Sequence, residues 1–102
     1  MSRLVVLFNL KPGTDISEYE AWAKATDLPI VRALDSVSEF AIQRVDSVLG
    51  SDETPPYQYV EIIDVNDMAL FGNEVGTETM QRVAGEFRAY ADNPVFLLTN
   101  TL

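Results

Sequence analysis

The stretch from Pro56 to Gly72 constrains the fold more than any other part of the chain, because a strand pattern runs into a helix pattern there without a linker. Tyr57 to Val65 is built of β-branched and aromatic residues that suit a pleated surface, and Pro55-Pro56 bars a hydrogen-bonded ladder from starting earlier. Asn66 or Asp67 then caps a short helix carrying Met68, Leu70 and Phe71, which Gly72 is expected to end. A strand feeding directly into a helix is the second opening of a split β-α-β pattern, and the other segments fall into place around it.

Arg3 to Leu10 is almost continuously apolar and is stopped by Lys11-Pro12-Gly13, the signature of a strand buried on both faces. Thr14 or Asp15 caps a helix to about Thr26, in which Ile16, Tyr19, Trp22, Ala23 and Thr26 recur at three- and four-residue steps. Pro29 is expected to break that helix, leaving Ile30 to Leu34 as one further turn or a short helix. Ser36 to Leu49 alternates as a long second strand, with Phe40, Ile42 and Arg44 on one face and Ala41, Gln43 and Val45 on the other. Beyond the polar loop from Gly50 to Pro55 and the organising segment, Gly76-Thr77-Glu78-Thr79 opens a last long helix. Its inward positions are Met80, Val83, Ala84, Phe87, Tyr90 and Ala91. Asn93-Pro94 stops it, and Val95 to Leu98 begins a final apolar strand.

The order β-α-β-β-α-β predicts an α+β, ferredoxin-like fold as one domain over residues 1–102. It is a four-stranded antiparallel sheet with the helices on one face and the first and third strands in the centre. Helices on one face leave a difficulty, because the first and last strands are apolar on both. An uncovered second face would expose more apolar surface than a monomer normally tolerates, and each Val, Leu or Phe buried there is worth roughly 1.5 to 3 kcal/mol. Packing sheet against sheet in a twofold homodimer resolves it.

Composition removes whole classes of function. Sixteen acidic residues against seven basic give a net charge of −9, which disfavours binding to nucleic acid or to an anionic membrane. The absence of Cys and His excludes disulfides, thiol nucleophiles, Cys/His zinc sites, histidine-ligated haem and a Ser-His-Asp triad. Asp15, Glu18 and Glu20 cluster where a helix dipole favours acids, so they are not read as metal ligands, and no cofactor is expected. With no apolar run of membrane-spanning length and no basic-then-apolar N-terminus, the expected location is cytoplasmic.

What remains for chemistry is carboxylates, tyrosines and amides. Tyr57, Tyr59, Glu61 and Ile63 share one face of the organising strand, which makes Glu61 and Tyr59 the polar groups best placed to enter a dry cavity. A buried Glu61 would have a raised pKa and serve as a general base or as an acceptor for a pyrrole or phenol hydrogen; the alternative is that it pairs with Arg44 or Arg3. Tyr19 and Trp22 on the first helix and Phe87 and Tyr90 on the last are candidates to line a pocket for a flat aromatic ligand, with ordinary core as the alternative. Gln43 and Arg44 add hydrogen-bonding groups on the second strand.

The element order, the doubly apolar outer strands and the Tyr57-to-Gly72 segment resemble the dimeric α/β-barrel superfamily. More narrowly, Glu61-Ile62-Ile63-Asp64-Val65 followed by Asp67-Met68-Ala69-Leu70-Phe71-Gly72-Asn73-Glu74-Val75 resembles the RedY-like HapK family of prodigiosin-type pathways. The resemblance implies a homodimer around an eight-stranded core, working in the biosynthesis of pyrrole-containing or polyketide-like secondary metabolites. Three functions are compatible with it. One is a protein, catalytic or accessory, that holds an aromatic intermediate in a cavity of each protomer. Another is a cofactor-independent monooxygenase or cyclase, and the third a non-catalytic dimeric assembly protein.

Overall fold

A computed structural model describes residues 2–102. The elements are β1 (Ser2–Leu10), α1 (Ile16–Trp22), a π-helical segment (Ala23–Asp27), α2 (Leu28–Arg32), β2 (Val37–Arg44), β3 (Tyr59–Val65), α3 (Met68–Val75), α4 (Glu78–Tyr90) and β4 (Ala91–Thr99). The strands form one antiparallel sheet in the order β2-β3-β1-β4, so the first and third strands are central as expected. The fold is ferredoxin-like. No helix among the described residues is long and apolar enough to cross a membrane.

Register decides what each face carries. Val6 stands opposite Glu61 on one side and Phe96 on the other, and Phe8 stands opposite Tyr59. These residues face the helices, where Val6, Phe8 and Tyr59 are buried with Tyr19, Phe87 and Ala91. A second buried group, Val31, Val37, Phe40 and Met80, fills the other end of the helix layer. On the opposite face two apolar rows cross the sheet, Ala41-Ile62-Val5-Leu97 and Val60-Leu7-Val95. The Arg3–Asp64 ion pair, 2.7 Å, lies beyond them on that face. The helices leave these rows uncovered, as the alternation of β1 requires.

Capping follows the sequence. Asp15 accepts from Ser17 and Glu18 at the start of α1, Asp67 from Leu70 at the start of α3, and Thr77 from Met80 at the start of α4.

Several boundaries differ from expectation, each for a local reason. Pro29 does not break the first helix: the chain widens into a π segment, with the Leu28 N–H donating to the Ala23 carbonyl five residues back, and Pro29 then sits in the first turn of α2. A proline there lacks only an N–H that would have had no helical partner. Gly72 does not end α3, which continues to Val75 with Gly76 as its C-cap. β2 is shorter than the alternation suggested and stops at Arg44, while β3 starts at Tyr59 and not Tyr57. Helix α4 ends at Tyr90, before Asn93-Pro94, because the chain turns directly into β4 at Ala91. Asn93 and Pro94 form a bulge: two residues of β4 stand where β1 offers only Phe8, and Asn93 takes a positive φ of 45°.

Candidate active site

A cavity of about 530 Å³ opens between the sheet and the helices, with walls drawn from both buried groups, including Val31, Phe40 and Met80 on one side and Phe87 and Ala91 on the other. Ile63 and Val83 extend its apolar lining. The β4 bulge contributes Asn93 and Pro94 to the rim, and Lys11, Arg88 and Asp92 stand exposed around it.

Two carboxyl groups lie at its deep end. Glu61 comes from the middle of β3, between Ile42 of β2 and Val6 of β1, and is 5% exposed. Its Oε2 has no hydrogen-bond partner among the described residues. Asp27 comes from the last position of the π segment and is also 5% exposed. Loss of hydration pushes the Glu61 pKa up to about 8, with the Asp27 charge adding to it, and burial pushes Asp27 up to about 7. Near neutral pH the two therefore present a mixture of carboxylic acid and carboxylate, which titrates as a pair.

Tyr19 is fully buried and its hydroxyl has no partner. Burial, and then the nearby Glu61 and Asp27 charges, hold it protonated far above the ordinary phenol range. Tyr59 lies on the same strand face as Glu61, but its hydroxyl donates to Glu20 Oε2 at 2.7 Å and its ring stacks on Phe8 at 5.4 Å. Burial, followed by that hydrogen bond, raises its pKa. Glu20 also receives Arg44 Nη1 at 3.0 Å, and the Tyr59 hydrogen bond is the main cause of its lowered pKa.

The residues singled out in the sequence thus separate. Glu61 and Phe87 line the cavity. Tyr19, Tyr59 and Arg44 line a separate, smaller hollow of about 250 Å³. Trp22 lines neither: its Nε1 donates to Glu86 at 2.9 Å, and its ring packs on Tyr90 and Tyr19. Gln43 pairs in register with Val60, so it belongs to the face turned away from the helices. The ion pairs that would have made Glu61 purely structural are absent, because Arg3 holds Asp64 and Arg44 holds Glu20.

Asp27 is the residue sequence reasoning missed. Tyr19, Ala23, Asp27 and Val31 recur at four-residue steps and are all buried, so a charge within an inward row was the available signal. Among the described residues no group of three or more acidic side chains is placed to hold a metal ion.

Fold and site together define a ferredoxin-like α+β protein with a deep, acid-floored cavity between sheet and helices. The chain matches the family model of the REDY-like protein HapK over residues 2–102, and it belongs to that family. Among solved structures it is similar to HapK from Hahella chejuensis, at 25% identity and a TM-score of 0.78, over 100% of this chain and 93% of that one. It is also similar to SnoaB, a cofactor-independent oxygenase from Streptomyces nogalater (15% identity, TM-score 0.75, 98% of this chain and 91% of that one). A dimeric ferredoxin-like protein of unknown function from Thermobifida fusca matches at 15% identity and a TM-score of 0.73, over 98% and 90% of the two chains. No curated protein matches the chain.

Proposed function

We propose that this protein holds a flat aromatic or heteroaromatic intermediate of secondary metabolism in the cavity of each protomer and exchanges a proton with it through Glu61. The carrying observation is that Glu61, a buried carboxyl group with one unpartnered oxygen, is among the residues lining a cavity of about 530 Å³. That volume falls in the range of roughly 300 to 1,000 Å³ typical of small-molecule sites. The apolar walls suit ring faces, and a Glu61 pKa of about 8 leaves a base that takes an N–H or O–H proton and an acid that returns it near neutral pH. Membership of the HapK family supports a pyrrole-containing or polyketide-like substrate of a prodigiosin-type pathway.

The assembly in this reading is a homodimer, with the rows Ile62-Val5-Leu97 and Val60-Leu7-Val95 of one sheet packed on those of a second copy. Uncovered apolar rows and the dimeric ferredoxin-like relative support it. Gln43 would then lie at the interface.

A thermal-shift screen of two- and three-ring heteroaromatics against the parent, Glu61→Gln and Tyr59→Phe tests the function. A ligand at about 100 times its Kd adds about 2.7 kcal/mol, which for a domain of this size raises Tm by roughly 10 °C or more. The expected result is a hit that loses this shift in Glu61→Gln and keeps it in Tyr59→Phe. Equal stabilisation of all three proteins would remove Glu61 from the site.

SnoaB supports a second reading, a cofactor-independent oxygenase in which Glu61 removes a proton and the resulting electron-rich substrate anion itself reduces oxygen. Oxygen consumption by the protein with a screening hit selects this reading; binding and turnover without it select the first.

A further inference from the structure

The deep end of the cavity carries two acids and no buried cation. Asp27 and Glu61 are each 5% exposed and both line the cavity. The arginines within reach of the sheet are engaged elsewhere, Arg3 with Asp64, Arg44 with Glu20 and Arg32 with the Phe40 carbonyl. The other polar group beside the pair is the buried Tyr19 hydroxyl from α1, the Tyr59 hydroxyl being held by Glu20, while Lys11, Arg88 and Asp92 stand exposed at the rim. An acidic pair alone would carry little weight, since burial can simply keep it protonated. The second observation is Glu61 Oε2, which is buried without a hydrogen-bond partner while its side chain forms part of the cavity wall. A buried acceptor left unsatisfied is costly, and Glu61 is among the residues that line the cavity, where a ligand can bring a donor to its carboxyl group.

The geometry points to an organic cation as the ligand, a protonated nitrogen bearing two or more N–H donors, of amidinium or iminium type, carried on a flat apolar body. The inference rests on the cavity being the ligand site and narrows the substrate class that site takes. Such a nitrogen donates to the Glu61 carboxylate and brings the counter-charge the two carboxyl groups lack, so both can ionise in the complex. The apolar walls take the rest of the molecule, and a net charge of −9 concentrates cations around the protein. A neutral isostere supplies hydrogen bonds without charge, and an anionic one adds a third negative group to the same dry space. Ionising the pair on binding releases protons, so the complex tightens as pH rises through the titration of the pair. A bound cation also holds Glu61 in the charged form required of a base.

Benzamidine, benzamide and benzoate share one flat ring and differ in charge, which makes them suitable probes for the protein. Binding is read by amide NMR shifts at cavity residues and by calorimetry in two buffers of different ionisation enthalpy. The expected result is that benzamidine binds on the order of tenfold or more tightly than benzamide, tightens by a similar factor between about pH 6 and 8.5, and releases protons, as charge-assisted bonding to a buried carboxylate requires. Glu61→Gln and Asp27→Asn should each weaken it by roughly tenfold. If either variant fails to fold, the isostere series and the pH dependence of the parent decide. Benzamide binding as well as benzamidine, or benzoate binding better, overturns the cation and leaves the cavity as a ligand site. Magnesium chloride alone shifting the same amides more strongly overturns it in favour of a metal. Silence of the cavity resonances towards all three aromatics removes the site and the cation together.

Discussion

Raising the pH should unfold this protein by an amount that the two cavity acids set. Asp27 and Glu61 have folded pKa values of about 7 and about 8, against ordinary carboxylate values below 5 in the unfolded chain. The folded state therefore holds protons that the unfolded state has already released. By linkage this stabilisation is full below the unfolded pKa values and is lost as pH rises through 7 and 8. At 1.36 kcal/mol for each pH unit over which only the folded state keeps the proton, roughly one and a half units for Asp27 and two and a half for Glu61, the loss between about pH 5.5 and 9 is about 5 kcal/mol. Against the 5 to 15 kcal/mol typical of a domain that is a large fraction. The lowered carboxyls, Asp64 through Arg3, Glu20 through Tyr59 and Glu74 through Ser36, act in the opposite direction but only in acid, below their unfolded pKa values.

Glu61→Gln separates this from a general effect of charge. The amide imitates the neutral acid, so the variant's advantage over the parent should widen by about 3 kcal/mol between pH 5.5 and 9, and the slope the variant keeps below about pH 7 belongs to Asp27. Urea unfolding followed by the fluorescence of Trp22, the single tryptophan, measures this at each pH. A parent whose stability is level or rises from pH 5.5 to 9, or a Glu61→Gln protein that loses as much as the parent, would refute the burial argument for the site.

Three further outcomes follow from the packing. Ala84→Phe, on the cavity wall, should abolish the thermal shift given by any cavity ligand while changing the stability of the free protein by no more than about 1 to 3 kcal/mol. Leu7→Glu, placed between Val60 and Val95 in an apolar row of the uncovered face, should abolish the proposed dimer in sedimentation. Tyr59→Phe should cost about 1 kcal/mol in urea unfolding through the lost bond to Glu20, and should leave the slope of stability with pH above 5.5 unchanged, since Glu20 titrates only in acid.

Element order, the central pair of strands, the caps at Asp67 and Thr77 and the uncovered apolar face were all legible, because each rests on a local pattern. Alternation in β1 and β3 fixes the faces once the sheet is antiparallel. Boundaries failed where tertiary pairing overrules local preference. Gly72 reads as a stop, but α3 keeps its hydrogen bonds to Val75, where Glu74 reaches back to accept from the Asp35 and Ser36 amides. Asn93-Pro94 reads as the end of a helix, whereas the register of β1 draws the chain into a strand at Ala91 and absorbs the proline as an edge bulge. Alternation put Glu61 on one strand face with Tyr59 and Ile63, but which face of the sheet turns towards the helices was not legible from that pattern. The freedom of Glu61 from Arg3 and Arg44 was not legible, since the choice between Asp64, Glu20 and Glu61 as their partner depends on which residues cross the sheet opposite one another.

Asp27 escaped for a reason that also explains why the site exists. Residues at four-residue steps drift by about 40° per step around an ordinary α-helix, so Tyr19, Ala23, Asp27 and Val31 would leave a common face within three turns. Breaking the helix at Pro29 hides even that row, because Val31 then belongs to a separate turn. The π segment from Ala23 to Asp27 meets both difficulties: its wider turn counters the drift, and its closing hydrogen bond to Leu28 lets Pro29 follow without a missing internal donor. Asp27 consequently stays in the buried row and reaches the cavity that Glu61 enters from the sheet. A regular helix through this region would rotate Asp27 towards solvent and leave Glu61 as a lone buried acid, without the neighbouring charge that raises its pKa further. The proline that looks like a terminator is thus tied to the placement of the second acid, and the chemistry of the cavity depends on a helical irregularity that no local propensity announces.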